Sequence, residues 1–232
     1  MVRRQSELFL PTLRDDPADA EAVSHKLLAR AGLIRQVSAG LWSFLPAGWK
    51  THERIVQVIR EEMDRIGGQE MLMPVLAPAE LWEKSGRIRI PELFRLKDRG
   101  GRDFVLSMTH EETVTFHFSE LGSYRDLPKS LYHFQTKGRD EPRPRGGLLR
   151  VREFIMKDSY SFDRDEEGME VSFRKHKGAY DRMFERCGIE AIPVQAESGM
   201  MGGTESIDYL APSGAGENTL VTCENGDYAA DL

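Results

Sequence analysis

Apolar residues recur at helical spacing in three long stretches of this chain. Val23, Leu27 and Ala31 share one face behind Asp16-Pro17, a pair suited to capping and opening a helix, and Gly32 can close it. Ile55, Ile59, Met63 and Ile66 predict a second helix from about 49 to 66, stopped by Gly67-Gly68. Met169, Phe173, Tyr180 and Phe184 give the core face of a third, which begins at Asp163 or Asp165 and ends near Cys187-Gly188. Shorter helices are expected at 78–85 and 109–121. Strands are expected at 70–76, 102–108, 130–136, 148–154, 189–195 and 219–223, and the stretch 224–228 reads as a turn. Pro74 interrupts the first strand, so that strand belongs at an edge and borders an interface. Runs of strands with helices on one side indicate an α+β fold built on an antiparallel sheet.

A length of 232 residues can bury one large core or two small ones, and 40% hydrophobic with 30% charged residues is ordinary for a globular domain. The formal charge of −6 argues against nonspecific coating of nucleic acid, which needs a basic surface. Positive charge is instead local: residues 129–158 carry eight Lys/Arg against four Asp/Glu, so phosphate binding is focused there. Cys187 and Cys223 lack metal-ligand spacing and read as reduced thiols. With no apolar signal core and no run of membrane-spanning length, a cytoplasmic protein without a membrane partner is expected.

The densest chemistry lies at 136–162. Arg139 and Glu141 sit two apart on a predicted strand, which would put both side chains on one face. A planar guanidinium there can grip a phosphate or carboxylate at two points. Arg152 and Phe154 share that spacing on the partner strand, and Phe154 can stack on a purine. The alternative is a surface hairpin laced with Arg–Glu pairs of little energetic weight. Thr109-x-x-Glu112 fits a capping box, with Thr109 capping and Glu112 reaching back. Glu111 is then left with a free carboxylate for a substrate ammonium. His110 and His117 lack zinc-helix spacing and read as core or hydrogen-bonded histidines. Gly199-Met200-Met201-Gly202-Gly203 lacks the lysine of a P-loop and reads as a tight turn. The two polar clusters together suggest a site that joins a phosphate-rich nucleotide to an amino acid.

Across nearly its whole length the chain resembles the bacterial type of prolyl-tRNA synthetase, a class II aminoacyl-tRNA synthetase. The resemblance rests on Pro17-Ala18-Asp19-Ala20-Glu21, Ser38-Ala39-Gly40-Leu41, Leu45-Pro46-x-Gly48, Met73-Pro74-Val75, Thr109-His110-Glu111-Glu112, Arg139-Asp140-Glu141-x-Arg143-Pro144-Arg145 and Arg152-Glu153-Phe154-x-Met156-Lys157-Asp158-x-Tyr160-Ser161-Phe162, with Gly202-Gly203. It implies activation of proline by ATP and transfer of the prolyl group to tRNA(Pro) by a homodimer. It also implies a partial class II catalytic domain over 1–232, with motif 1 at about 49–78 and motif 2 at about 130–162. Motif 3, the insertion domain that edits mischarged tRNA and the anticodon-binding domain are expected to be absent from this chain.

The same resemblance implies roles. Thr109 and Glu111 would take the proline ammonium and Arg139 its carboxylate, with Met156 and Tyr160 shaping the pocket. Arg143, Arg145, Arg150 and Arg152 would neutralise the triphosphate, Glu141 would accept from the adenine amino group, and Glu197 and Asp208 are candidate ligands for Mg²⁺. Gly138 stands where the family usually has an aromatic residue, and Asp208 where a glutamate is common. The rival expectation is a non-catalytic synthetase-like paralogue that binds an amino acid, tRNA or protein partner.

Overall fold

The computed structural model of the chain describes residues 4–196, 205–214, 216, 219–223, 225 and 229–231. The chain forms two compact units, Met1–His176 and Lys177–Leu232. The helix Glu166–Arg186 begins in the first and ends in the second.

In the first unit, helix α1 (Val23–Arg30) leads into an antiparallel hairpin, β1 (Ile34–Ser38) and β2 (Leu41–Phe44), which turns at Gly40. Helix α2 (Pro46–Arg65) follows at once. Proline suits its first turn because the missing N–H would have no helical partner. The helix stops at Gly67, whose left-handed φ of 88° lets Gly68 N–H reach back to Met63 O at 3.0 Å. A three-stranded sheet then assembles in the order β4 (Leu76–Pro78), β6 (Asp103–Leu106), β5 (Arg95–Lys97). Helix α3 (Ala79–Lys84) joins it, and Trp82, Ile90, Leu93, Val105 and Met108 form the shared apolar core. Helix α4 (Glu111–Phe118) leads to a long hairpin, β7 (Lys129–Gly138) and β8 (Glu153–Phe162). That hairpin pairs in register from Lys129↔Phe162 to Gly138↔Glu153, and the short β3 (Gln69–Glu70) adds to β7 in parallel. Asp165 caps α5 (Glu166–Arg186) by accepting from Gly168 N–H at 2.8 Å.

In the second unit the sheet order is β10 (Ser206–Leu210), β9 (Ile192–Ala196), β12 (Ala229–Asp231), β11 (Leu220–Thr222). The end of α5 contributes the buried Ala179 and Met183, and Tyr180, Phe184 and Tyr209 pack ring on ring. The α+β expectation holds, with antiparallel pairing throughout except at β3–β7 and β9–β12.

Several local expectations fail for physical reasons. Helix α1 starts at Val23, because Pro17 O closes a turn onto Ala20 N–H and Asp16 pairs with Lys26 and Arg30 instead of capping. Its buried residues are His25 and Ala29, whereas Val23 and Leu27 are exposed. The strand expected at 70–76 is broken around Pro74. The second strand of the long hairpin begins at Glu153, five residues later than expected, so the intervening segment belongs to the loop. Strands β1, β2, β5, β10 and β12 escaped the sequence pattern because each is five residues or shorter, too short to show a clear alternation.

Helix α2 is seated where Gly48 passes Leu33. A Cβ at Gly48 would lie 2.1 Å from Leu33 O, a backbone atom, and Leu45 N–H already donates to that oxygen at 2.8 Å. Gly48→Ala is therefore expected to lower unfolding free energy by at least about 2 kcal/mol, read from the urea midpoint. An unchanged midpoint would show that the helix does not approach Leu33 so closely.

Candidate functional site

In an antiparallel pair, directly opposed residues share a face of the sheet, and so do residues two apart. One face of the long hairpin therefore carries His133, Gln135 and Lys137 from β7 with Phe154, Met156, Asp158 and Tyr160 from β8. A buried sheet face is normally apolar, and this one is strongly polar. Lys137, His133 and Asp158 are all buried, together with His110 from the segment before α4.

These groups satisfy one another. Lys137 Nζ donates to Asp158 Oδ2 at 2.8 Å, and Tyr160 O–H donates to the same oxygen at 2.5 Å. Tyr160 in turn accepts from His110 N–H at 2.8 Å, which pins the chain just ahead of α4. His110 Nε2 faces Pro74 O at 3.0 Å, an atom that can only accept, so the proton lies on Nε2 and the bare Nδ1 accepts from Lys137. Met73 N–H points at His133 Nδ1 at 3.4 Å, which places that ring's proton on Nε2, 2.9 Å from Asp158 Oδ1. Burial, aided by the Lys137 charge, lowers the His110 pKa to about 4. Burial alone would raise the Asp158 carboxyl, but hydrogen bonds from His133, Lys137 and Tyr160 outweigh it and hold the pKa at about 2. The Lys137 ammonium is lowered by burial against the pull of Asp158.

His110, His133 and Asp158 bring three donor atoms within 4.8 Å of one another, as in a metal site. The Lys137 ammonium sits among them, in contact with both rings and the carboxylate. It supplies the cation that the donors would otherwise hold, so this cluster does not fit a metal.

A second cluster flanks the start of α4. Arg87 Nη1 donates to Glu111 Oε2 at 2.8 Å and to Glu112 Oε1 at 3.0 Å, and Nη2 donates to Thr109 Oγ1 at 2.8 Å. Thr109 donates its own proton to Glu111 Oε2. The capping box is therefore not formed. His110 occupies the N-cap position without a side-chain bond, and Glu112 turns to Arg87 and to Ser85 Oγ at 2.7 Å instead of reaching back. Nor is the Glu111 carboxylate wholly free, since Oε2 is held. Among the described residues, Oε1 accepts no hydrogen bond.

Arg139 follows β7 directly, with Gly138 ending the strand. Arg139 and Glu141 thus lie in the loop and not on the strand expected from sequence. The Arg139 guanidinium lies over the Phe154 ring at 5.1 Å, so the ring expected to stack on a purine carries this cation. Burial lowers the Arg139 pKa, and Glu111 opposes that shift. Arg139 Nε is buried without a hydrogen-bond partner, and among the described residues the guanidinium has no ion pair. Gly138 leaves no vacancy: a Cβ there would stand 3.3 Å from Leu106 Cδ1 and 3.4 Å from Phe94 Cδ2.

Beyond Arg139 the loop is organised around Glu141. Its carboxylate pairs with Arg150 at 2.9 Å and accepts from Arg143 N–H at 2.9 Å, and its carbonyl accepts from Arg152 Nε at 3.0 Å. Arg145 and Arg150 bridge backbone to backbone, and Arg152 N–H donates to Gly40 O, tying the loop to the β1–β2 hairpin. Arg143, Arg145 and Arg150 are exposed. Asp208 is an exposed residue of β10, while Glu197 and the Gly199–Gly203 turn lie outside the described residues. Among the described residues no helix is long and apolar enough to cross a membrane.

The model for the tRNA synthetase class II core domain (G, H, P, S and T) matches residues 94–231, more than half of the chain. The chain belongs to the class II tRNA synthetase core-domain family. It is similar to a proline–tRNA ligase of Pelotomaculum thermopropionicum, with 55% identity over 99% of the chain and 41% of that relative. A proline–tRNA ligase of Streptomyces coelicolor is 54% identical over 99% of the chain and 41% of its own length. The chain thus spans about two fifths of the curated relatives it matches. In fold it is similar to Giardia lamblia prolyl-tRNA synthetase in complex with prolyl-adenylate. The TM-score is 0.66 at 23% identity, covering 70% of this chain and 35% of that one.

Sequence reasoning singled out Thr109, Glu111, Arg139, Met156 and Tyr160 but missed Arg87, Lys137, His133 and Asp158 as a set. The signal was present in the alternation His133-x-Gln135-x-Lys137, three polar residues on one strand face. The unfolded His110 side chain takes up its proton near pH 6.5, whereas the folded one does so near 4. Between those values the unfolded chain holds the extra proton, so acidification favours unfolding. Wild type is expected to lose on the order of 3 kcal/mol more than His110→Gln between pH 6.5 and 4 in urea unfolding. His52 and His176, also lowered by burial, contribute the same sign to both proteins and cancel in the comparison. Equal pH slopes would contradict a buried, neutral His110.

Proposed function

We propose that this chain forms the proline- and ATP-binding part of a proline–tRNA ligase. One observation carries the reading: Arg139 presents a half-buried guanidinium with no ion pair among the described residues, electrostatically coupled to Glu111, whose Oε1 accepts nothing. An unsatisfied cation near an unsatisfied carboxylate oxygen is complementary to a zwitterion. Proline is such a zwitterion, with a secondary ammonium for Glu111 and Thr109 and a carboxylate for Arg139. Met156 and Tyr160, on the same sheet face, would contact its ring. The high identity to curated proline–tRNA ligases supports the choice of amino acid.

In this reading ATP enters as its Mg²⁺ complex. A carboxylate oxygen of proline attacks the α-phosphorus, the bond from that phosphorus to the β-bridging oxygen breaks, and pyrophosphate leaves with the electron pair. A hydroxyl of the terminal ribose of tRNA(Pro) then attacks the prolyl carbonyl carbon, the bond from that carbon to the adenylate oxygen breaks, and AMP leaves. The first step asks the protein for alignment and charge neutralisation and for no covalent help. Arg139 would span the carboxylate and the α-phosphate, and Phe154 supports its guanidinium from below. Arg143, Arg145, Arg150 and Arg152 would neutralise the remaining phosphates, with Glu141 ordering their loop and accepting from the adenine amino group. Asp208, exposed on β10, and Glu197, outside the described residues, are the candidate Mg²⁺ ligands that the resemblance implies.

We assign 49–78 to motif 1 and 130–162 to motif 2 and read the protein as a cytoplasmic homodimer. Leu72, 73% exposed beside the Pro74 break, is suited to meeting a partner there. Arg139→Ala is expected to abolish proline-dependent ATP–pyrophosphate exchange in the protein at its full natural length, a loss of at least about 100-fold. Near-normal exchange would overturn the role given to Arg139.

A further inference from the structure

Arg87 lies outside every motif that marks this site, yet it touches the side chains on which the proposed proline pocket depends. It sits on the short turn Arg87–Arg89 after α3 and is mostly buried. Its guanidinium lies 4.9 Å from the Trp82 ring, whose side chain is wholly buried in the core beneath. Arg95 fixes the same turn by donating to Ile88 O at 2.9 Å and Ile90 O at 2.7 Å. The cation is therefore anchored before it meets α4.

From that anchor Nη1 reaches both glutamates and Nη2 reaches the Thr109 hydroxyl. Among the described residues, every hydrogen bond to the Glu111 carboxylate falls on Oε2, from Arg87 and from Thr109. We infer that Arg87 is a positioning residue for imino-acid recognition: it locks Glu111 Oε2 and Thr109 together, so that Oε1 alone is presented to the substrate ammonium. The inference rests on the proposed function and deepens it.

Charge bears this out. Arg87 is shared by two carboxylates, so the trio keeps a formal surplus of one negative charge that an ammonium can complete. Burial alone would lower the Arg87 pKa, but Glu111 and Glu112 together raise it, so the cation persists at any working pH. Glu111 directly follows His110, whose backbone N–H donates to Tyr160 on the sheet face where proline would lie. A lysine could not reproduce the arrangement, because a single ammonium lacks the planar fork that spans Thr109 and both glutamates.

The test measures proline-dependent ATP–pyrophosphate exchange on the protein at its full natural length. Arg87→Met leaves the buried Glu112 without its cation and risks misfolding, so the informative variant is Arg87→Met combined with Glu112→Gln. Its KM for proline is expected to rise about 30-fold, the worth of one lost charge-assisted anchor, with KM for ATP and kcat within about threefold of wild type. Arg87→Lys is expected to fall between. An unchanged KM for proline would overturn the inference, and so would a parallel loss in all three parameters, which marks a purely structural role. Wild-type protein with no proline-dependent exchange would overturn the proposed function itself, and the inference with it.

Discussion

The site is organised around one ion pair, Lys137 with Asp158, enclosed in the middle of the β7–β8 sheet face. Burying a lysine is costly in isolation, and so is burying an aspartate. Together they are tolerable because each makes several polar contacts with its neighbours. Asp158 takes Lys137, Tyr160 and the His133 ring, and Lys137 takes the bare nitrogen of His110. Such a network works as a whole, since removing one member strands another in a medium of low dielectric. What it secures is position. Tyr160 holds the backbone of His110, and the residues on either side of His110 are Thr109 and Glu111.

Two guanidiniums then divide the labour at the edge of this network. Arg87 is engaged through both terminal nitrogens, whereas Arg139 has no ion pair among the described residues. The engaged one shapes a carboxylate, and the unengaged one offers charge to an anion. A receptor for a small zwitterion needs both halves, because an amino acid in water is already well solvated at each end. A site that left either charge unmet would pay the desolvation without the return. The β4–β6–β5 sheet with its Trp82 core looks peripheral but carries the first of these cations, whereas the long hairpin carries the second.

Much of this was legible before any coordinates. The helices α2 and α5, the hairpin and the Gly67 stop followed from periodicity and punctuation. The resemblance carried by Thr109-His110-Glu111-Glu112 and Arg139-Asp140-Glu141 drew attention to Thr109, Glu111 and Arg139, on which the proposed function is built. The failures share a cause, which is tertiary competition for local signals. Thr109 and Glu112 have capping-box spacing, but Arg87, more than twenty residues upstream, offers both a stronger partner than the helix end does. Asp16-Pro17 looks like a helix start, but Asp16 answers to Arg30. Arg87 itself sits in Gly86-Arg87-Ile88-Arg89, where nothing in the local sequence sets it apart from Arg89 or betrays its partners. Lys137 and Asp158 lie far apart in sequence, and only the register that sets His133 opposite Asp158 brings them together.

The most direct test of this account is a double-mutant cycle on the central pair, followed by chemical unfolding of wild type, Lys137→Met, Asp158→Asn and the double variant. A stranded buried charge makes each single substitution costly, about 3 kcal/mol or more for Lys137→Met, and the double variant is expected to cost less than the sum by about 2 kcal/mol. Costs that add to within about 0.5 kcal/mol would mean that the two groups do not depend on each other, and the site would then have some other foundation.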